Sequence, residues 1–170
     1  MRPLLSRLAV FAASSLLATS TFAGTNDVLL RSGVIAPDGR GISFFETPRA
    51  SRATRGVFAG TTSAIMTKSG STFAVVAKTG DALPSPLPGT FNIFNDPAIN
   101  DAGAVVFRAT VNSTSAESGL FFYDGATITP ISLFGGTAGG LESVSRNPDV
   151  NNSNEIVYET HDTTLLLWSG

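Results

Sequence analysis

The chain has one histidine, His161, with Asp162 beside it and Tyr158-Glu159-Thr160 before it. A histidine next to a carboxylate is raw material for proton transfer. Nucleophilic hydrolysis also needs a serine raised on a sharp elbow, and no Gly-x-Ser-x-Gly occurs. Zinc would find no cysteine and no second histidine. Glu46, Glu142, Glu155 and Glu159 are candidates for the paired acids of glycoside cleavage, but nothing in their spacing singles out two of them. The run Gly135-Gly136-Thr137-Ala138-Gly139-Gly140 is glycine-rich without a following helix, so it reads as an inter-unit loop and not a phosphate cradle. Oxygen donors gather at Asp96, Asn100 and Asp101, and again at Asn151, Asn152, Asn154 and Glu155. They lack the Asp-x-Asp-x-Asp-Gly spacing of a dedicated calcium loop. The expectation is a protein with no catalytic residue, no cofactor and no metal.

The elements that would position these groups repeat. A proline is followed ten residues later by an aromatic at Pro48 and Phe58, Pro97 and Phe107, and Pro148 and Tyr158, with the prolines 49 and 51 residues apart. A glycine precedes each proline by seven or eight residues, at Gly41, Gly89 and Gly140. A turn glycine follows each aromatic, at Gly70, Gly125 and Gly170, by 12, 18 and 12 residues. Ten residues further on stand Gly80 and Gly135. The six extra residues of the middle copy fall within Val111–Gly119, a polar stretch that reads as a longer surface loop. A period near 50 residues means stacked supersecondary units, none able to bury its apolar face alone.

Each copy reads as four short strands, A to D. In the middle copy, Phe91-Asn92-Ile93-Phe94 alternates until Asp96-Pro97 breaks the run. Ala104–Thr110 is rich in β-branched and aromatic residues, and Leu120–Tyr123 meets Thr127–Leu133 across Asp124-Gly125, a strong hairpin signal. Pro130 marks its strand as an edge or a bulge, because proline has no ladder donor. Helical periodicity is absent after residue 23. Phe58, Phe107 and Tyr158 are expected to pack between neighbouring units. The fold class is therefore all-β, three tandem four-stranded antiparallel units of propeller type. A β-trefoil or β-prism is the alternative three-fold arrangement.

Residues 1–23 read as a secretory signal: Arg2 and Arg7, an apolar stretch from Leu8 to Leu17, and Thr21-Phe22-Ala23 at the cleavage site. This stretch of ten residues, broken by Ser14 and Ser15, falls short of the ~20 that a membrane helix requires. The repeat domain then spans 24–170, divided as a D strand at 26–33 and units at 41–80, 89–135 and 140–170. Without Arg2 and Arg7, 9 basic residues face 13 acidic ones, a net charge of −4 that disfavours nucleic acid and anionic membranes as partners. An exported chain with no cysteine must stabilise itself by burial. Secretion or periplasmic residence is the expected location.

The segment Asn100-Asp101-Ala102-Gly103-Ala104-Val105-Val106-Phe107 resembles the bacterial exported tandem-repeat proteins named for an Asn-x-x-Gly-x-x-Ala-Phe motif, whose surface anchors vary. Gly89-Thr90-Phe91, Asp96–Asn100 and Lys78–Pro84 are also similar to that repeat. The third copy departs from it, with Asn154 at the glycine position of Asn151–Tyr158, and the first has Ser51 and Thr54 at the Asn and Gly positions. The resemblance implies a β-propeller-like protein of no established activity, in which members carry a C-terminal sorting segment. Within the motif, Asn100 would bond its own turn, Gly103 would supply positive φ, and Phe107 would anchor the strand. Pro48, Pro97, Pro148, Asn151, Phe58 and Tyr158 hold the matching structural positions.

Asp27–Gly33 matches the D strands before Gly80 and Gly135, so the chain is expected to begin with D and end after A, B and C. Two chains would then complete a six-bladed ring as a homodimer, each donating its first strand to the other's last blade. The functional expectation is an exported, non-catalytic scaffold that binds a protein or polysaccharide at the bacterial envelope. The alternatives are a glycosidase or lyase with its acids in a central channel, or a truncated piece of a longer repeat protein.

Overall fold

The computed structural model describes residues 64–69, 72–135, 147–160 and 164–170, together with the backbone of 45–50 and 55–60. The signal segment, the strand expected at 26–33, Gly41, Gly70, Gly140, Glu142 and His161 lie outside the described residues. Every described element is a strand, in three antiparallel sheets that do not close. Strands β1 (Phe45–Ala50), β2 (Arg55–Gly60), β3 (Ala64–Ser69) and β4 (Thr72–Lys78) form the first, in chain order. The second is β5 (Thr90–Ile99), β6 (Val105–Asn112), β7 (Ser118–Tyr123) and β8 (Ile128–Phe134), again in order. In the third, β9 (Asp149–Val150), β10 (Glu155–Glu159) and β11 (Leu165–Ser169) place β10 in the middle.

The middle sheet is covered on both faces, and its sequence shows why. On one side Val105, Phe107, Ala109 and Val111 of β6 and Phe121 of β7 join Phe91 and Phe94 of β5 against Ile65 and Ala77 of the first sheet. On the other, Val106 of β6 and Leu120 and Phe122 of β7 meet Val150, Ile156, Tyr158, Leu166 and Trp168 of the third sheet. Successive side chains on a strand point to opposite faces. A strand buried on both faces therefore reads as an unbroken apolar run, which Ala104-Val105-Val106-Phe107 and Leu120-Phe121-Phe122 are. Phe91 meets Phe121 edge-on at 4.9 Å between centroids, and Phe107 stacks on Phe121 at 5.8 Å. On the other face Phe122 lies 5.6 Å from Trp168.

Three local features differ from the sequence expectations or refine them. Asp96-Pro97 does not end strand A: β5 continues through it to Ile99, absorbing the dipeptide as a bulge between Asn95 and Ala98. Asp96 takes φ 49°, so the buried Pro97 sits where no ladder donor is needed. Pro130 is likewise at a bulge, with Leu120 opposite Ser132 and Phe121 opposite Pro130, on a strand at the sheet edge. The Val111–Gly119 insertion is more than a surface loop. The Val111 N–H bonds the Glu117 carbonyl, the Glu117 N–H bonds the Phe134 carbonyl, and Ala116 is drawn into the first core. Pairing carries on into the insertion, which satisfies these backbone groups within the chain.

The first and second sheets are joined by Thr79–Gly89. The Gly80 N–H donates to the Phe91 carbonyl, the Phe91 N–H to the Asp81 carbonyl, and the Leu83 N–H to the Gly89 carbonyl. The Asp81 carboxylate accepts the Lys78 N–H at 2.9 Å, and the Thr79 hydroxyl donates to the Asn92 carbonyl. Gly89 combines φ +107° with a backbone approach so close that a Cβ would lie 2.1 Å from the Asn112 carbonyl oxygen.

Candidate functional site: the interlocked turns

The richest polar constellation in the described residues lies where the β5–β6 turn meets the β9–β10 turn. Each turn is built in the same way. In the first, the Asn100 N–H bonds the Ala104 carbonyl and the Gly103 N–H bonds the Asn100 carbonyl. In the second, the Asn151 N–H bonds the Glu155 carbonyl and the Asn154 N–H bonds the Asn151 carbonyl. Gly103 has φ 93° and Asn154 φ 62°, so asparagine fills the glycine position at the left-handed geometry it tolerates best among residues with a Cβ. In both turns the leading asparagine caps its own loop. Asn100 Oδ1 accepts the Ala104 N–H at 2.9 Å, and Asn151 Oδ1 accepts the Ser153 and Glu155 N–H groups at 2.9 Å each.

The two turns also hold each other. Asn100 Nδ2 donates to the Asn151 carbonyl at 3.0 Å and to Asn154 Oδ1 at 2.8 Å. The Asp101 N–H donates to Asn152 Oδ1 at 3.0 Å, and Asn152 Nδ2 returns a bond to Asp101 Oδ2 at 2.9 Å. Asn100 is buried, so both ends of its amide are used where water cannot replace them. Below the turns, Pro97 and Pro148 are fully buried. Phe107 lies in the core between the first and second sheets, and Tyr158 in the core between the second and third. The backbone at Pro48 and Phe58 belongs to β1 and β2.

The oxygens read in sequence as possible calcium donors thus already accept N–H groups: those of Asn100, Asp101, Asn151, Asn152 and Asn154. Glu155 Oε2 accepts Asn151 Nδ2 at 2.6 Å, and Asp96 Oδ2 lies 3.6 Å from Arg108 Nε. Among the described residues no three His, Asp or Glu side chains gather as a metal-holding group. As for paired acids, Glu155 and Glu159 share β10 four positions apart. That is roughly 13 Å along a strand, wider than the ~5–9.5 Å that glycoside cleavage uses.

Sequence reasoning identified Asn100, Asn151 and Gly103 as turn residues but missed that the turns clasp one another. The available signal was the 51-residue offset shared by Asn100 with Asn151 and by Asp101 with Asn152. Asp124 was read as a hairpin-turn residue, and the structure adds that its side chain caps the β7–β8 turn. Its carboxylate accepts the Ala126 and Thr127 N–H groups at 2.8 and 2.7 Å and the Thr127 hydroxyl at 2.9 Å. These bonds, led by the Thr127 N–H, hold its pKa below the ordinary value of 3.8.

An all-β chain of antiparallel sheets, one of them sandwiched between its neighbours, with turns clasped by asparagine amides, defines a protein whose polar motif serves its own architecture. The chain belongs to a family of unknown function, DUF7453, whose model matches residues 37–160. That span covers the first two sheets and the clasped turns. No curated protein matches the chain.

Proposed function

We propose that this is an exported, non-catalytic repeat scaffold that presents a binding surface at the bacterial envelope, its sheets packed as the blades of a propeller-like array. The observation that carries the reading is the clasp. In its middle copy the repeated motif spends the Asn100 amide N–H groups and the Asp101 carboxylate on the following turn, which a stacking device requires and a reaction centre does not. Blade packing is supported by the two cores, since Phe107 and Tyr158, 51 residues apart, each lie in the core toward the preceding sheet. Export is supported by Arg2, Arg7, the Leu8–Leu17 stretch and Thr21-Phe22-Ala23. The resemblance to the Asn-x-x-Gly-x-x-Ala-Phe repeat proteins points the same way. With four net negative charges after residue 23 and no cysteine, the scaffold suits a neutral polysaccharide or a protein partner better than an anionic polymer.

The test is to express the whole chain in a Gram-negative host, fractionate the cells and sequence the N-terminus of the recovered protein. The expected result is a periplasmic or secreted product beginning at Gly24, which sediments with envelope polysaccharide or an envelope protein. Cytoplasmic retention with Met1 intact overturns the export reading. Hydrolysis of a polysaccharide by that product overturns the non-catalytic one.

A further inference from the structure

The dipeptide Asp124-Gly125 carries a chemistry of its own. The backbone nitrogen that follows an aspartate can attack the side-chain Cγ, and glycine leaves that nitrogen unshielded. The N–Cγ bond forms, a Cγ–O bond breaks, and one water departs with the amide proton and the carboxyl hydroxyl. Water then opens the five-membered imide at either carbonyl, giving back aspartate or leaving a β-linked isoaspartate. Packing does not stand in the way here. Asp124, Gly125, Ala126 and Thr127 are all exposed, and beyond its chain neighbours nothing lies within 4 Å of where a Gly125 Cβ would sit. The turn holds the reaction back by other means. Asp124 Oδ1 accepts the Ala126 and Thr127 N–H groups, and Oδ2 accepts the Thr127 hydroxyl. The oxygen that leaves Cγ must carry a proton, whereas three donors favour the ionised carboxylate. A rotation that presents the face of Cγ to the Gly125 nitrogen also has to break bonds on both oxygens. The glycine itself is tied: the Tyr123 hydroxyl donates to the Gly125 carbonyl at 2.7 Å, and the Asp124 N–H to the Thr127 carbonyl at 3.2 Å.

We propose that Asp124 is a latent isoaspartate site that the β7–β8 turn keeps closed, so that conversion there records an opening of the turn. The record is lasting, because the product cannot rebuild the turn it came from. The β-linkage adds one main-chain carbon between Asp124 and Gly125, and the side-chain carboxylate that caps the turn is consumed in making it. The consequence falls on β8, which pairs with β7 alone in its sheet and takes its register from this turn. The inference rests on the bonds of the turn, and stands independently of export or of any envelope ligand.

Peptide mapping with electron-transfer fragmentation, which separates isoaspartate from aspartate, tests it on the full chain held warm at neutral pH, folded or in urea. Asp124 is expected to convert at least about tenfold more slowly in the folded chain than in urea. The chain's other Asp-Gly, Asp38-Gly39, lies outside the described residues and serves in urea as the reference for the unprotected dipeptide. Thr127→Val removes the hydroxyl donor to Asp124, and Tyr123→Phe removes the bond to the Gly125 carbonyl. Each is expected to raise the folded rate at Asp124 about threefold, with the circular dichroism spectrum retained. Equal rates in the folded and unfolded chain overturn the proposal. So does a folded rate indifferent to both substitutions, or an Asp124 that lags Asp38 as far in urea as the folded chain lags the unfolded one.

Discussion

The second and third sheets share a strand register and differ in what lies on them. Leu120 is sealed beneath the third sheet, and Leu165, in the same register, faces outward at 68% exposure. Asn100 donates its Nδ2 to a neighbouring turn, and Asn151 donates its own within its turn. A repeat position therefore has no fixed energetic worth. Its value depends on whether a neighbouring sheet covers it, as expected of stacked architectures in which interfaces carry the stability.

The widest gap should appear between the leucines. Leu120→Ala is expected to destabilise the chain by about 2–5 kcal/mol, through lost burial and the cavity left behind. Leu165→Ala, measured by urea unfolding at concentrations where single chains prevail, should fall within about 0.5 kcal/mol of wild type. Equal losses would erase the distinction between the two sheets. A smaller gap is expected between the asparagines. Asn100→Ala leaves the Ala104 N–H and Asn154 Oδ1 short of a partner and takes from the Asn151 carbonyl one of its two donors, costing about 1–3 kcal/mol, and Asn151→Ala costs less because water reaches its exposed partners.

The all-β class and the strand segments were legible because turn chemistry and β-branched runs are local signals. Asp124-Gly125 and the Asn-Asp-Ala-Gly turn announced themselves in this way. The bulge at Asp96-Pro97 was hidden because proline reads locally as a break, and only the continued pairing of Ala98 and Ile99 with Val106 and Val105 shows the strand passing through. Ala116 was illegible for a related reason: a small residue in a polar stretch gives no sign of burial until the ladder around it is known. The clasp lay between. Its residues were visible as recurring asparagines, but the partner of an amide 51 residues away depends on how the sheets stack, which no local pattern encodes.

The smallest effect sharpens the comparison from outside both cores. Asp124 is solvent-exposed, and its turn N–H groups hold its pKa low in the folded chain. A group whose folded pKa is depressed contributes stability that is present above its unfolded value and is lost as pH falls through the folded one. Thermal melts stepped from pH 5 to about pH 2 should therefore decline less steeply in Asp124→Asn, which keeps an acceptor but does not titrate. Identical slopes would remove Asp124 from the acid response.

The clasp between turns is the central claim, and a double-mutant cycle reads it directly. Asn100→Ala removes the donor, and Asn154→Gly removes one acceptor while keeping the positive φ at that position. Unfolding free energies of the wild type, both single variants and the double variant should show a coupling of at least about 0.5 kcal/mol, since the second loss costs less once the first has been made. Strict additivity of the two substitutions would mean that the turns lie side by side without holding each other, and would contradict the account.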